Sequence, residues 1–133
     1  MEDKLVYKEL SYKIVGILFE VYNQLGYGYK ERCYEKAIER YLVHKKIDYK
    51  RQAPYKVRVQ GKIICRQYID FIIDDKIILE IKKGHNFAKQ NMDQVKQYLQ
   101  VTGLKLAILA NFMPNEVKFI RVLNPNNLQN YNL

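Results

Sequence analysis

The sequence predicts an α/β domain in which a mixed β-sheet is flanked by helices, in the order α-α-β-β-β-α-β-β. Three patterns carry this reading. Apolar residues recur at three- and four-residue steps in the first third, the middle changes to period two, and one more helical stretch separates that middle from two further apolar runs. A helix between two strands of one sheet implies a crossover, which should be right-handed.

Each element has its own signal. Leu5, Leu10, Ile14, Ile17, Leu18, Val21 and Leu25 mark an amphipathic helix over Lys4 to Leu25. Gly26 and Gly28 end it at a corner, after which Tyr34, Ala37, Ile38, Tyr41 and Leu42 restore helical spacing from Glu31 to Lys45. Tyr55, Val57 and Val59 alternate with Lys56, Arg58 and Gln60 as a strand, and Gly61-Lys62 reads as its hairpin turn. Ile63 to Ile73 and Lys76 to Lys82 follow as apolar strands around Asp74-Asp75, their two-sided hydrophobicity asking for a helical cover. Phe87 to Val101 forms one helix through Met92, Val95, Tyr98 and Leu99, closed by Gly103. Leu104 to Ala110 is a buried strand, and Val117 to Val122 is the last one after the turn around Pro114.

The chain has 133 residues, enough for one core and too few for a second module. One domain over 1–123 is expected, with 124–133 as an Asn-rich tail. Hydrophobic residues make up 48% and charged ones 28%, a globular balance that excludes disordered and fibrous classes. Lys and Arg number 23 against 14 acidic residues, a formal charge of +9 that favours a polyanionic partner. Lysine used only for solubility would give the same balance, so charge leaves both readings open. Cys33 and Cys65 lack CxxC spacing, which argues against a zinc ribbon or a disulfide framework and for reduced, partly buried thiols. His44 and His85 have no partner at metal-ligand spacing. No secretory leader pattern or run of 18 apolar residues is present, so a soluble cytoplasmic protein without a membrane partner is expected.

The chemistry concentrates on the central hairpin. Asp70 closes an apolar stretch, and nine residues later comes Glu80-Ile81-Lys82. Glu80 and Lys82 project to one face of a pleated strand, with Ile81 on the other. A turn over Asp74 to Lys76 sets Asp70 opposite Glu80, where Cβ separations are about 5 Å. Carboxylates that close either raise a pKa or hold a hard cation such as Mg²⁺ or Mn²⁺. The same spacing also describes an exposed hairpin with a cross-strand ion pair. Glu31 stands in the first turn of its helix, where the dipole favours an acidic residue. Gln94 and Tyr98, four residues apart, share one helical face, with Tyr98 equally suited to a core position.

The string Asp70, nine residues, Glu80-Ile81-Lys82 resembles the D-x(n)-(D/E)-x-K signature of the PD-(D/E)XK nucleases, with Ile69 in place of the usual proline. Gly28-Tyr29-Lys30-Glu31-Arg32-Cys33-Tyr34 matches Gly-x-x-Glu-x-x-Tyr, the string that names the GxxExxY family within that superfamily. Gln52-Ala53-Pro54, Gln94 with Tyr98, and Ala110-Asn111-Phe112 look like that family in the same order, over residues 5 to 123. The resemblance implies a restriction-endonuclease-like core in which Asp70, Glu80 and Glu31 bind Mg²⁺ or Mn²⁺ and Lys82 serves the attacking water. Gln94 and Tyr98 would support that site. The implied function is a metal-dependent nuclease hydrolysing phosphodiester bonds, with DNA favoured over RNA and a homodimer left open. The alternative is a nucleic-acid-binding or assembly module on the same fold, without turnover.

Overall fold

The computed structural model describes residues 6–126. Two helices, α1 (Lys8–Leu25) and α2 (Glu31–His44), precede β1 (Tyr49–Val59), β2 (Lys62–Ile73) and β3 (Ile77–Lys83). Then come α3 (Lys89–Thr102), β4 (Leu106–Phe112) and β5 (Val117–Leu123), in the order that the periodicities predict. Residues 4 and 5 of the expected first helix, and 127–133 of the expected tail, lie outside the described residues. Asn124, at the head of that tail, is buried, its amide donating to the carbonyls of Leu99 at 2.9 Å and Leu104 at 2.8 Å. No described helix is long and apolar enough to cross a membrane.

The strands form one sheet in chain order, β1-β2-β3-β4-β5. Every neighbouring pair is antiparallel except β3 and β4, which run parallel because α3 carries the chain across one face between them. Phe71, Ile73, Leu79, Ile81, Ile108 and Phe112 pack against Ile14, Leu18, Tyr34, Ile38 and Leu42 of α1 and α2. On the other face Ala53, Ile69, Ile78, Ala107 and Leu109 meet Val95, Tyr98 and Leu99 of α3. Burial on both faces explains the unbroken apolar runs of β3 and β4.

Two local features depart from the sequence reading. Strand β1 begins at Tyr49, six residues before the expected alternation, because the chain flips at Gln52. Gln52 has φ 48°, and it and Asp70 drop out of the ladder between the pairs Arg51↔Phe71 and Ala53↔Ile69. Arg51 therefore lies over the Phe71 ring on the α2 side, while Ala53 and Ile69 pack under α3. Pro54 is tolerated just beyond the flip because β1 is an edge strand. The distal turn is Gln60-Gly61 and not Gly61-Lys62: φ of 50° and 79° puts both residues in the left-handed region that a two-residue hairpin of matching twist demands.

Candidate active site

Strands β2 and β3 share only three paired positions, ending at Phe71↔Leu79. One step further the same register sets Asp70 against Glu80, and here the strands separate. Each carboxylate fills the gap by bonding the backbone of the opposite strand. Glu80 Oε1 accepts from the Asp70 amide at 2.7 Å, and Asp70 Oδ2 accepts from the Ile81 amide at 2.9 Å. The turn that fixes this register is Asp74-Asp75, both residues in the left-handed region, closed by the Lys76 amide donating to the Ile73 carbonyl at 3.0 Å.

Glu80 is 2% exposed and Asp70 is half-buried. Burial, the largest cause in each case, raises the Asp70 carboxyl to about 6 and the Glu80 carboxyl to about 8. The charge on Asp70 adds to the upward push on Glu80, while the amide hydrogen bonds and the Lys82 ammonium pull both back. Two carboxylates buried this close together hold either a proton or a cation.

Lys82 follows Glu80 on the same face of β3, half-buried, and its ammonium makes no ion pair among the described residues. Its register partner on β4 is Asn111, which is 1% exposed and whose amide has neither a donor nor an acceptor partner among the described residues. A buried amide left unpaired normally costs roughly 1–3 kcal/mol.

Glu31 opens α2, and its carboxylate accepts from the Lys83 amide at 3.2 Å, which ties it to the end of β3. The structure does not join it to Asp70 and Glu80 in a three-carboxylate group, and among the described residues no three His, Cys, Asp or Glu side chains form a metal-holding cluster. The acidic group that α2 turns toward the pair is Glu35, one turn later. It is buried, accepts from Gln52 Nε2 at 2.9 Å and from Arg51 at 3.0 Å, and its charge raises both Asp70 and Glu80. Gln52 also reaches Asp70 Oδ1 at 3.5 Å, so the residue at the strand flip bridges helix and hairpin. The sequence reading passed over Glu35, Gln52 and Asn111 as site residues. The available signals were a second acid at i+4 on the helical face of Glu31, and membership of the Gln52-Ala53-Pro54 and Ala110-Asn111-Phe112 strings.

Tyr98 is a core residue under the sheet, its hydroxyl donating to the Tyr68 carbonyl at 3.3 Å and its ring edge-on to Tyr55 at 5.5 Å. Burial, helped by the charge on Glu80, raises its phenol, and Gln94 hydrogen-bonds to it from one turn earlier on α3. Both stand on the α3 side of the sheet. Tyr34 of the glycine corner is likewise structural. Its hydroxyl donates to the Gly26 carbonyl at 2.6 Å and its ring stacks on Phe112 at 4.2 Å. Lys83 turns away from Lys82, donating to the Tyr29 carbonyl at 2.9 Å. Cys33 is half-buried, whereas Cys65 is exposed, against the expectation of two partly buried thiols; both are free.

The donor set fits a hard divalent cation. Asp70 and Glu80 each commit one oxygen to a backbone amide, and Glu80 Oε2 takes no hydrogen bond from a described residue. Mg²⁺ retains several waters and is commonly held by one or two carboxylates together with substrate phosphates, so two protein oxygens suffice.

The sequence profile of the PD-(D/E)XK nuclease superfamily matches residues 8–122. No curated protein matches the chain. The crystal structure of SSO0001 aligns with TM-score 0.55 and 19% identity over 92% of this chain, which supports the fold; the chain spans 59% of that protein's length. An alkaline exonuclease (LHK-Exo) from Laribacter hongkongensis aligns with TM-score 0.40 and 8% identity, covering 91% of this chain and 86% of its own, too distant to bear on the argument.

Proposed function

Because the chain belongs to the PD-(D/E)XK nuclease superfamily, we propose that it is a divalent-metal-dependent nuclease of the GxxExxY type that hydrolyses phosphodiester bonds of DNA in the cytoplasm. The observation that carries this reading is the interlocked Asp70–Glu80 pair at the point where β2 parts from β3, with Lys82 beside it. A structural hairpin would gain from pairing one of these acids with a lysine. Here two acids are desolvated together, a costly arrangement that a bound cation relieves.

Asp70 and Glu80 would hold the ion, Mg²⁺ or Mn²⁺, which supplies polarisation of the phosphate and activation of water. The residues of the chain do the rest. Lys82 orients the attacking water and offsets negative charge developing on the phosphoryl oxygens. Asn111, unpaired and in register with Lys82, offers an amide to steady that ammonium or the phosphate. Gln52 and Glu35 hold Asp70 in its rotamer, Glu31 secures the end of β3, and Gln94 with Tyr98 forms the wall behind Glu80.

The test is a cleavage panel of plasmid, linear duplex, single-stranded DNA and RNA, run in Mg²⁺, Mn²⁺ and EDTA with the parent and Lys82→Ala. Cleavage is expected only with metal and is expected to fall by about 10²–10³ in Lys82→Ala, as for loss of one preorganised charge-stabilising group, with binding of the nucleic acid retained. Absence of cleavage under every condition, or cleavage indifferent to Lys82→Ala, would overturn the assignment.

A further inference from the structure

The β1–β2 pair does not end at the site. Beyond Gln52 and Asp70 the two strands continue as a two-stranded ribbon to the turn at Gln60-Gly61, and from Lys56 to Arg66 every side chain except half-buried Val57 is exposed. This ribbon adds nothing to either core cluster past Tyr55, so stability does not account for its length. Its charge is one-sided. From Tyr49 to Ile69 the sequence carries Lys50, Arg51, Lys56, Arg58, Lys62 and Arg66 and no Asp or Glu. Arg51 is paired with Glu35 and Glu39, and Lys50 with Asp75, whereas Lys56, Arg58, Lys62 and Arg66 have no ion pair among the described residues.

Lys56 and Arg66 are direct cross-strand partners, and Arg58 stands two residues further along β1, just past a register shift between Val57 and Arg58. Like charges placed opposite each other weaken a ladder, so this arrangement suits a ribbon that meets a polyanion. Shape narrows the choice. A two-stranded ribbon fits the major groove of B-form DNA, about 12 Å wide, whereas the major groove of A-form RNA is deep and too narrow to enter. Val59, Ile63 and Ile64 at the tip are exposed apolar groups of the kind that contact thymine methyls. Strand rise puts Arg66 about 13 Å from Asp70, within a few phosphates along one strand.

We propose that the ribbon 55–67 is a duplex-DNA arm that enters the major groove, grips the flanking phosphates through Lys56, Arg58 and Arg66, and presents the adjacent backbone to the Asp70–Glu80 site. The proposal deepens the nuclease reading and rests on it only for the use made of the bound DNA.

Binding of a fluorescent 20-base-pair duplex is measured in EDTA across salt concentrations for the parent, for Lys56→Gln/Arg58→Gln/Arg66→Gln, and for a charge-matched control, Lys13→Gln/Lys36→Gln/Lys105→Gln. None of the six side chains is buried, so both variants should melt with the parent. Losing three phosphate contacts should lower the slope of log affinity against log salt by about 2.7 and weaken binding by on the order of 10²-fold at 0.1 M salt. The control should keep the parent slope. Equal loss in both variants, a slope unchanged in the ribbon variant, or duplex RNA or phosphatidylserine vesicles binding as tightly as duplex DNA would overturn the proposal. Ribbon-dependent binding by a parent that cleaves nothing would uphold the arm while sinking the nuclease reading, so the two failures are separable.

Discussion

Glu80→Gln tests the electrostatic state of the site most directly. The amide keeps the acceptor that Glu80 Oε1 offers the Asp70 N–H, so the hairpin loses a charge and not a hydrogen bond. In the parent without metal, the Glu80 carboxyl is raised from its ordinary 4.5 to about 8, first by burial and then by Asp70. The folded state therefore binds a proton more tightly than the unfolded state. Stability from that protonation is fully present below pH 4.5, falls as pH rises, and is lost above about pH 8. At roughly 1.4 kcal/mol per unit the upper bound is on the order of 5 kcal/mol, and relaxation of the half-buried neighbourhood should leave about 1–2 kcal/mol in measurement. Urea unfolding in EDTA should find Glu80→Gln equal to the parent near pH 4.5 and more stable by that amount at pH 8. Adding Mg²⁺ at about ten times its dissociation constant should restore roughly 1.4 kcal/mol to the parent and nothing to the variant, and cleavage should be lost. A variant less stable than the parent at pH 8 in EDTA would refute the reasoning, as would metal stabilisation that survives the substitution.

Two further substitutions separate support from chemistry. Gln52→Ala removes a hydrogen bond that holds the Asp70 carboxyl down, so Asp70 should rise further and the acidic limb of the pH–cleavage profile should move to higher pH; an unmoved limb would show that Gln52 does not act on Asp70. Tyr98→Phe loses the hydroxyl bond to the Tyr68 carbonyl but keeps the ring in its core, for a cost of about 1 kcal/mol in chemical unfolding with cleavage within a few-fold of the parent; a large loss of cleavage at unchanged stability would give the phenol a chemical role.

Local signals made much of this protein legible in its sequence. Helical spacing and period two depend on which face meets a core, and the α-α-β-β-β-α-β-β order follows from them. The opposition of Asp70 and Glu80 was also legible, because a three-residue turn at Asp74 to Lys76 leaves one register for the hairpin. The start of β1 was not. The flip at Gln52 sends Arg51 and Ala53, two residues apart, to opposite faces, which erases alternation where the strand begins.

What the sequence by itself determined was therefore the elements, their order and the pairing of the two carboxylates, since each depends on residues close along the chain. Only the tertiary structure decided what each acid of α2 touches. Glu31 and Glu35 lie one turn apart on the same helical stripe, so periodicity cannot separate them; the docking of α2 against Phe71 and Phe112 gives Glu31 to the Lys83 amide and Glu35 to Gln52 and Arg51. The same holds for Asn111 beside Lys82 and for the ribbon left without a helical cover. Both depend on contacts made or withheld by segments distant in sequence, and no local pattern records a contact that is absent.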